Sequence, residues 1–176
     1  LYFDYYGFPP HTYELTYPAP GSPELAKQIQ SLLTSADIKS ELDPDHGYDH
    51  GTFVPLKVMF PDADIPVVQV SLQCQLDPAF HIQVGAALKS LREQNILILG
   101  SGMSFHNMEI LRHGQDINNH SKTFDHWLTR TCSSLPLERN KNLAQWSHAP
   151  SGKHSHPREE HLLPLMVVAG SAGEDQ

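Results

Sequence analysis

Apolar residues at positions 25, 29, 32 and 33 recur at helical spacing, directly behind Ser22-Pro23-Glu24. A serine cap, a proline in the first turn and an acidic residue beside it predict a helix over residues 22–35 with one face in a core. Residues 38–42 read as a short strand closed by the turn Asp43-Pro-Asp-His-Gly47. Residues 53–60 read as a helix or a loop leading into one, and residues 61–64 as a turn. The run Ile65-Pro-Val-Val-Gln-Val-Ser-Leu72 is β-branched and almost continuously apolar, as a buried strand is. A helix follows from residue 77 or 78 to about 93, with Ile82, Ala86 and Leu91 among its buried positions. Asn95-Ile-Leu-Ile-Leu-Gly100 is a second continuous apolar run bounded by glycine, and predicts another buried strand.

Strand, helix, strand in this order gives an α/β fold class, with a mixed or parallel central sheet flanked by helices. After it come a polar loop rich in Asn and His, and then a helix over residues 122–135 carrying Phe124, Trp127 and Leu128. Residues 136–157 are loop-like. Residues 158–169 read as a last amphipathic helix started by Pro157, and 170–176 as a flexible end. No repeat and no boundary is visible, so the expectation is a single domain over 1–176. The chain opens without Met on a strand-like aromatic run, which leads us to expect a domain incomplete at its N-terminus.

A length of 176 residues is enough for one sizeable core. The formal net charge of −8 offers no basic stripe for phosphates, which excludes a nucleic-acid partner. No apolar run has the length of a bilayer span, and the first residues do not form a signal peptide, so a cytoplasmic protein with no membrane partner is expected. Cys74 and Cys132 lack metal-type spacing and read as free thiols of a reducing compartment. The oddity is histidine: there are 12, and four of them lie within residues 148–161.

Three histidines stand in pointed contexts. His106, beside Asn107, follows the 95–100 run through Ser101-Gly-Met-Ser-Phe, at the carboxyl end of a predicted strand where ligands of open α/β sheets collect. Gly100 and Gly102 would allow backbone to approach a ligand closely. A loop histidine bonded to main chain is the plainer alternative. His50 lies between Asp49 and Gly51; the Asp49 carboxylate could orient an imidazole that polarises a substrate oxygen, or the segment is a local Asx turn with a solvated ring. His161 lies four residues after Pro157, as a single metal ligand or as part of a solvated first turn. His-Glu-x-x-His, Cys-x-x-Cys and Gly-x-Ser-x-Gly are absent, so a zinc-dependent hydrolase finds no supporting motif, and Ser101 and Ser104 lack the context of a serine nucleophile.

Taken in order, Tyr6-Gly-Phe-Pro9, Tyr17-Pro-Ala-Pro-Gly-Ser-Pro23, Asp49-His-Gly51, Met59-Phe-Pro-Asp-Ala-Asp-Ile-Pro-Val-Val-Gln69, Leu97-Ile-Leu-Gly-Ser-Gly102 with His106-Asn107, and His156-Pro157 with Glu160-His-Leu-Leu-Pro-Leu165 form a set. The chain resembles the 4,5-DOPA extradiol dioxygenase-like family, class III extradiol ring-cleavage enzymes related to the B subunit of protocatechuate 4,5-dioxygenase. The resemblance covers about residues 2–173. It implies an α/β fold with one non-haem metal near the strand ends, ferrous iron as the catalytic metal, and zinc in some bacterial members. It implies a catechol and O2 as substrates, and ring opening beside the diol. Position by position, it makes His106 the general base and acid, which some descriptions also count among the metal ligands. It makes His50 a contact of substrate or dioxygen, and His161 a metal ligand. Two further ligand histidines of the family, in a His-Gly and a Ser-Ala-His-Trp-like segment, have no counterpart in the 176 residues. Phe3 stands where some members place histidine, and the family's last strand beyond Gly173 is missing. Two readings follow: an extradiol dioxygenase lacking its N-terminal part, or a non-catalytic remnant or binding module of the same fold. Neither fixes the catechol nor the oligomeric state.

Overall fold

The structure is a computed structural model and describes residues 1–114 and 117–175. The chain divides into two compact units, Leu1–Ser71 and Leu72–Gln176.

In the first unit, helix α1 (Pro23–Ser35) forms where the sequence places it. Ser22 Oγ accepts the Leu25 N–H at 3.3 Å, which satisfies one of the donors a helix start leaves open. Ile29 and Leu33 are its buried residues. Helix α2 (His50–Met59) begins three residues earlier than the apolar pattern suggests. Its start is set by the cap: Asp49 Oδ1 accepts the Thr52 N–H at 2.9 Å. The core of this unit is Tyr17, Ala19, Phe53, Leu56 and Ala63, with Phe3, Tyr5, Tyr48, Phe60 and Val67 packed around it. Phe53 is fully buried, which contributes about 1.5–3 kcal/mol against leaving it in water. The phenols that enter this core keep their hydroxyls satisfied: Tyr17 donates to the Phe60 carbonyl at 3.0 Å, and Tyr48 to that of Val67 at 3.0 Å.

The second unit carries α3 (Pro78–Leu88), α4 (Met108–His113), α5 (Ile117–Cys132), α6 (Pro136–Ala144), the single turn α7 (Gly152–Ser155) and α8 (Leu163–Ala172). Helices α3 and α8 pack directly on each other. Glycine makes this possible, because a Cβ on Gly85 would collide with the Val167 carbonyl and one on Gly170 with the Ile82 carbonyl. Around the pair, Phe124, Leu128, Leu143, Trp146, Leu162, Leu163, Met166 and Ala169 form the core. Arg139 is buried beneath it. Its guanidinium donates to the carbonyls of Ala169 at 2.8 Å, Gly173 at 3.1 Å and Asp175 at 2.6 Å, holding the end of α8.

Among the described residues the expected central sheet does not form. Residues 65–72 and 95–100 lie in no helix, but among the described residues the only β pairing is one isolated parallel bridge, Gly21↔Val67, and no ladder forms. A continuous apolar run specifies burial, not a partner strand, and no described segment supplies one. Residues 97–100 find no main-chain to main-chain hydrogen-bond partner among the described residues, and Leu97 and Leu99 remain 67% and 43% exposed. Residues 38–42 are likewise without strand pairing.

Other elements differ in extent. The helix from Pro78 stops at Leu88 and tightens into a 3-10 turn, Lys89–Gln94; Ala86 is exposed, while His81, Val84, Gly85 and Leu88 are buried. The loop-like stretch 136–157 is largely helical, with Pro136 at the first turn of α6, a position that suits it. The last helix starts at Leu163, so Pro164 rather than Pro157 occupies its first turn. Cys74 and Cys132 are free thiols, as expected. Among the described residues no helix is long and apolar enough to cross a membrane.

Candidate active site

Three imidazoles meet in the second unit. His106 follows the apolar run 95–100, whose end lies against α8: a Cβ on Gly100 would stand 2.7 Å from the Pro164 carbonyl oxygen. A Cβ on Gly102 would collide with the carbonyl of His161. The glycines after the apolar run thus admit neighbouring backbone. Met103 N–H donates to the His161 carbonyl at 2.9 Å, and His106 N–H donates to that of Ser155 at 2.9 Å. Asn107 works twice. Its Oδ1 accepts the Ile110 N–H at 3.1 Å and starts α4, while Nδ2 donates to the His154 carbonyl at 2.7 Å.

Held this way, the His106 ring stacks on His161 with centroids 3.5 Å apart and planes 12° from parallel. His161 lies in the turn before α8 and not inside a helix, so it is not one helical turn beyond Pro157. Glu160 Oε1 stands 3.7 Å from His161 Nδ1 and also belongs to a carboxylate paired with Arg158. His156 completes the group. It is fully buried, edge-on to Phe124 (5.6 Å) and Trp146 (6.0 Å). Neither ring nitrogen has a partner at good hydrogen-bonding geometry, although the Ser104 main chain lies close enough to favour the charged ring. Burial pushes the His156 imidazole below its ordinary pKa, and the neighbouring His106 and His161 push the same way. Sequence reasoning gave His156 no role; the His-Pro pair was its only local signal.

His50 belongs to the first unit, at the first position of α2. Its orienting carboxylate is not Asp49, which is spent on capping that helix, but Asp4. Asp4 Oδ1 lies 2.7 Å from His50 Nδ1 and accepts the His50 N–H at 3.1 Å. Partial burial works against the Asp4 carboxylate, but the hydrogen bonds and charge of His50 outweigh it and hold the acid below its usual range. A separation of 46 residues hides this pair from any local motif.

The resemblance implies a metal close to these side chains. In-plane lone pairs of two near-parallel rings 3.5 Å apart run side by side. They do not converge on one ion about 2.1 Å from each nitrogen. Among the described residues no group of three or more His, Cys, Asp and Glu side chains could hold a metal ion. The described residues therefore do not form a complete metal site, and His106 and His161 do not share one ion in this arrangement.

Similarity to known proteins agrees with the motif set. The chain is 41% identical over 175 residues to the 4,5-DOPA dioxygenase extradiol of Beta vulgaris, covering 98% of this chain and 65% of that protein. It is 38% identical over 191 residues to dioxygenase tasH of Hapsidospora irregularis, covering 100% of this chain and 58% of the relative. The chain thus spans about three fifths of the length of the curated relatives it matches. An uncharacterised Escherichia coli K12 protein of known crystal structure superposes with a TM-score of 0.76 at 33% identity, over 93% of this chain and 68% of the other. The model of the catalytic LigB subunit of aromatic ring-opening dioxygenases matches residues 3–176. The chain belongs to the LigB family of aromatic ring-opening dioxygenases.

Proposed function

We propose that this chain carries part of the active site of an extradiol dioxygenase, which opens a catechol-type ring beside its diol with O2. The observation that carries this is the parallel pair His106 and His161 beside buried His156, in a member of a ring-opening family. Relatives named for 4,5-DOPA make DOPA the first catechol to test. Ferrous iron is the resident metal of this reading, with zinc as the other candidate; iron would supply the activation of dioxygen and of the catechol oxygens, whereas redox-inert zinc would only polarise the catechol oxygens.

The chain's own residues are read as follows. His106 takes a proton from a catechol hydroxyl and returns it later, since an imidazole changes charge near neutral pH. His161 is the side chain offered to the metal. His50 contacts bound substrate. The setting is cytoplasmic, with small-molecule partners and neither nucleic acid nor membrane, in keeping with the net charge of −8.

The second reading, a non-catalytic catechol-binding module of the same fold, is favoured by the missing third metal donor among the described residues. Anaerobic reconstitution with ferrous iron, followed by DOPA and then oxygen, separates the two. The enzyme reading expects oxygen uptake with a yellow ring-opened product. DOPA bound without uptake selects the module, and neither binding nor uptake overturns both.

A further inference from the structure

We propose that His81 and Gln73 form a proton-operated latch on the turn of residues 73–76 in the second unit. The neutral ring holds the Gln73 main-chain N–H, and the protonated ring gives it up for the side-chain oxygen of the same residue. This device is independent of the catechol reading.

His81 is buried on α3, with both ring nitrogens in use. Nδ1 lies 2.6 Å from the main-chain carbonyl oxygen of Asp77, which also accepts the His81 N–H at 3.2 Å. A carbonyl oxygen only accepts, so Nδ1 carries the proton. Nε2 accepts the Gln73 N–H at 3.1 Å, which requires the lone pair of the uncharged ring. The closed turn therefore exists with one tautomer of neutral His81. A proton added at Nε2 turns that acceptor into a donor facing another donor, and the Gln73 contact must break. An alternative acceptor belongs to the same residue. Gln73 Oε1 is buried without a hydrogen-bond partner among the described residues, a costly state that a donating Nε2–H relieves.

The turn that His81 closes is strained. Leu76 N–H donates to the Gln73 carbonyl at 3.0 Å, and Leu76 itself stands at φ +54°, in the left-handed region that non-glycine residues seldom enter. Leu72 and Leu76 pack on the core of the second unit, so release of the turn loosens two of its outer contacts. Among the described residues no charged group forms an ion pair with His81. Asp77 gives its carboxylate to the Ala79 N–H at 2.9 Å, and α8 carries no titratable side chain. On α6, Arg139 is committed to carbonyls at the end of α8, while Glu138 and Lys141 are exposed. On the 3-10 turn after α3, Arg92 pairs with Asp175, and Lys89 and Glu93 are exposed. Cys74, within the turn, is exposed as well. A permanent staple needs neither a strained residue nor an orphaned oxygen.

Amide hydrogen exchange on the full chain, corrected for the intrinsic effect of pH, reads the latch at Gln73 without any ligand. From about pH 7.5 to about pH 5, the range in which imidazoles ordinarily titrate, Gln73 protection is expected to fall at least about tenfold while the amides of Val84 to Leu88 stay protected. Long-range proton–nitrogen NMR of His81 is expected to show the Nδ1–H tautomer at the upper pH and a doubly protonated ring at the lower. His81→Phe keeps the ring shape and removes the acceptor, so Gln73 is expected to be unprotected at every pH. Gln73→Met keeps the main-chain N–H and removes the orphaned oxygen; it folds the turn as the parent does and releases it only at a lower pH. Unchanged Gln73 protection in the parent across this range, or an Nε2–H ring at the upper pH, overturns the latch. Loss of protection along α3 together with Gln73 means general unfolding and sinks it too. Release of Gln73→Met at the parent's pH refutes the second position of the ring.

Discussion

The imidazole of His106 lies face to face with that of His161, centroids 3.5 Å apart and planes 12° from parallel. Rings stacked in this way do not aim their lone pairs at one ion, and the proposed reading accordingly gives them separate tasks, His106 to carry a proton and His161 to offer a donor to the metal. In the metal-loaded protein, His106→Ala is expected to lower turnover about 100-fold or more, the usual loss for a general acid–base group, while metal content is kept. His161→Ala is expected to lose metal as well. Metal analysis beside oxygen-uptake rates checks both, and loss of metal in the His106 variant would assign that ring as a ligand.

His156 is fully buried with no well-formed hydrogen bond, an arrangement that costs stability. His156→Phe puts an apolar ring of similar shape between Phe124 and Trp146. The variant is expected to be as stable as the parent or more so, by up to about 2 kcal/mol, in urea unfolding. A loss above about 1 kcal/mol would show that the imidazole makes a stabilising polar contact.

Gly85 and Gly170 bring α3 and α8 together at backbone contact. Gly85→Ala or Gly170→Ala must push the helices apart, and each is expected to destabilise by roughly 2–3 kcal/mol, as overpacking does. Thermal melts against Gly21→Ala, where an added Cβ meets nothing within 4 Å, provide the comparison. Equal melts for all three would refute the close crossing.

Asp4 gives the first unit an acid-side pH dependence. Its folded pKa lies below its unfolded value of 3.8, so the unfolded chain takes up the proton first as pH falls. The stabilisation is complete above about pH 3.8 and is lost as pH drops through the folded value. Asp4→Asn should therefore be less stable at neutral pH and converge with the parent at low pH, in unfolding followed across the acid range. Parallel stability curves would rule the pairing out.

What the sequence discloses here depends on how local the cause is. Helix α1 is legible because its cap, its proline and its apolar face all lie within residues 22–35. Residues 65–72 and 95–100 mislead, since their composition suits a doubly covered strand while pairing depends on another segment. Helix α4 was hidden by polar residues, although Asn107 was a readable cap. The link from His106 to His161 follows from ordered motifs, but their stacking does not. Asp4 is out of reach for a different reason: Asp49 adjoins His50 in sequence, yet its carboxylate is already engaged by Thr52.

Three hydrogen bonds, from Met103 N–H, His106 N–H and Asn107 Nδ2 to the carbonyls of His161, Ser155 and His154, lace residues 103–107 to residues 154–161. All three acceptors are main-chain atoms, so side-chain replacement on the 154–161 arm leaves the lacing intact, whereas an insertion or deletion there shifts every acceptor at once. For anyone grafting this site between relatives, the two arms form one cassette: they must be exchanged together and at constant length.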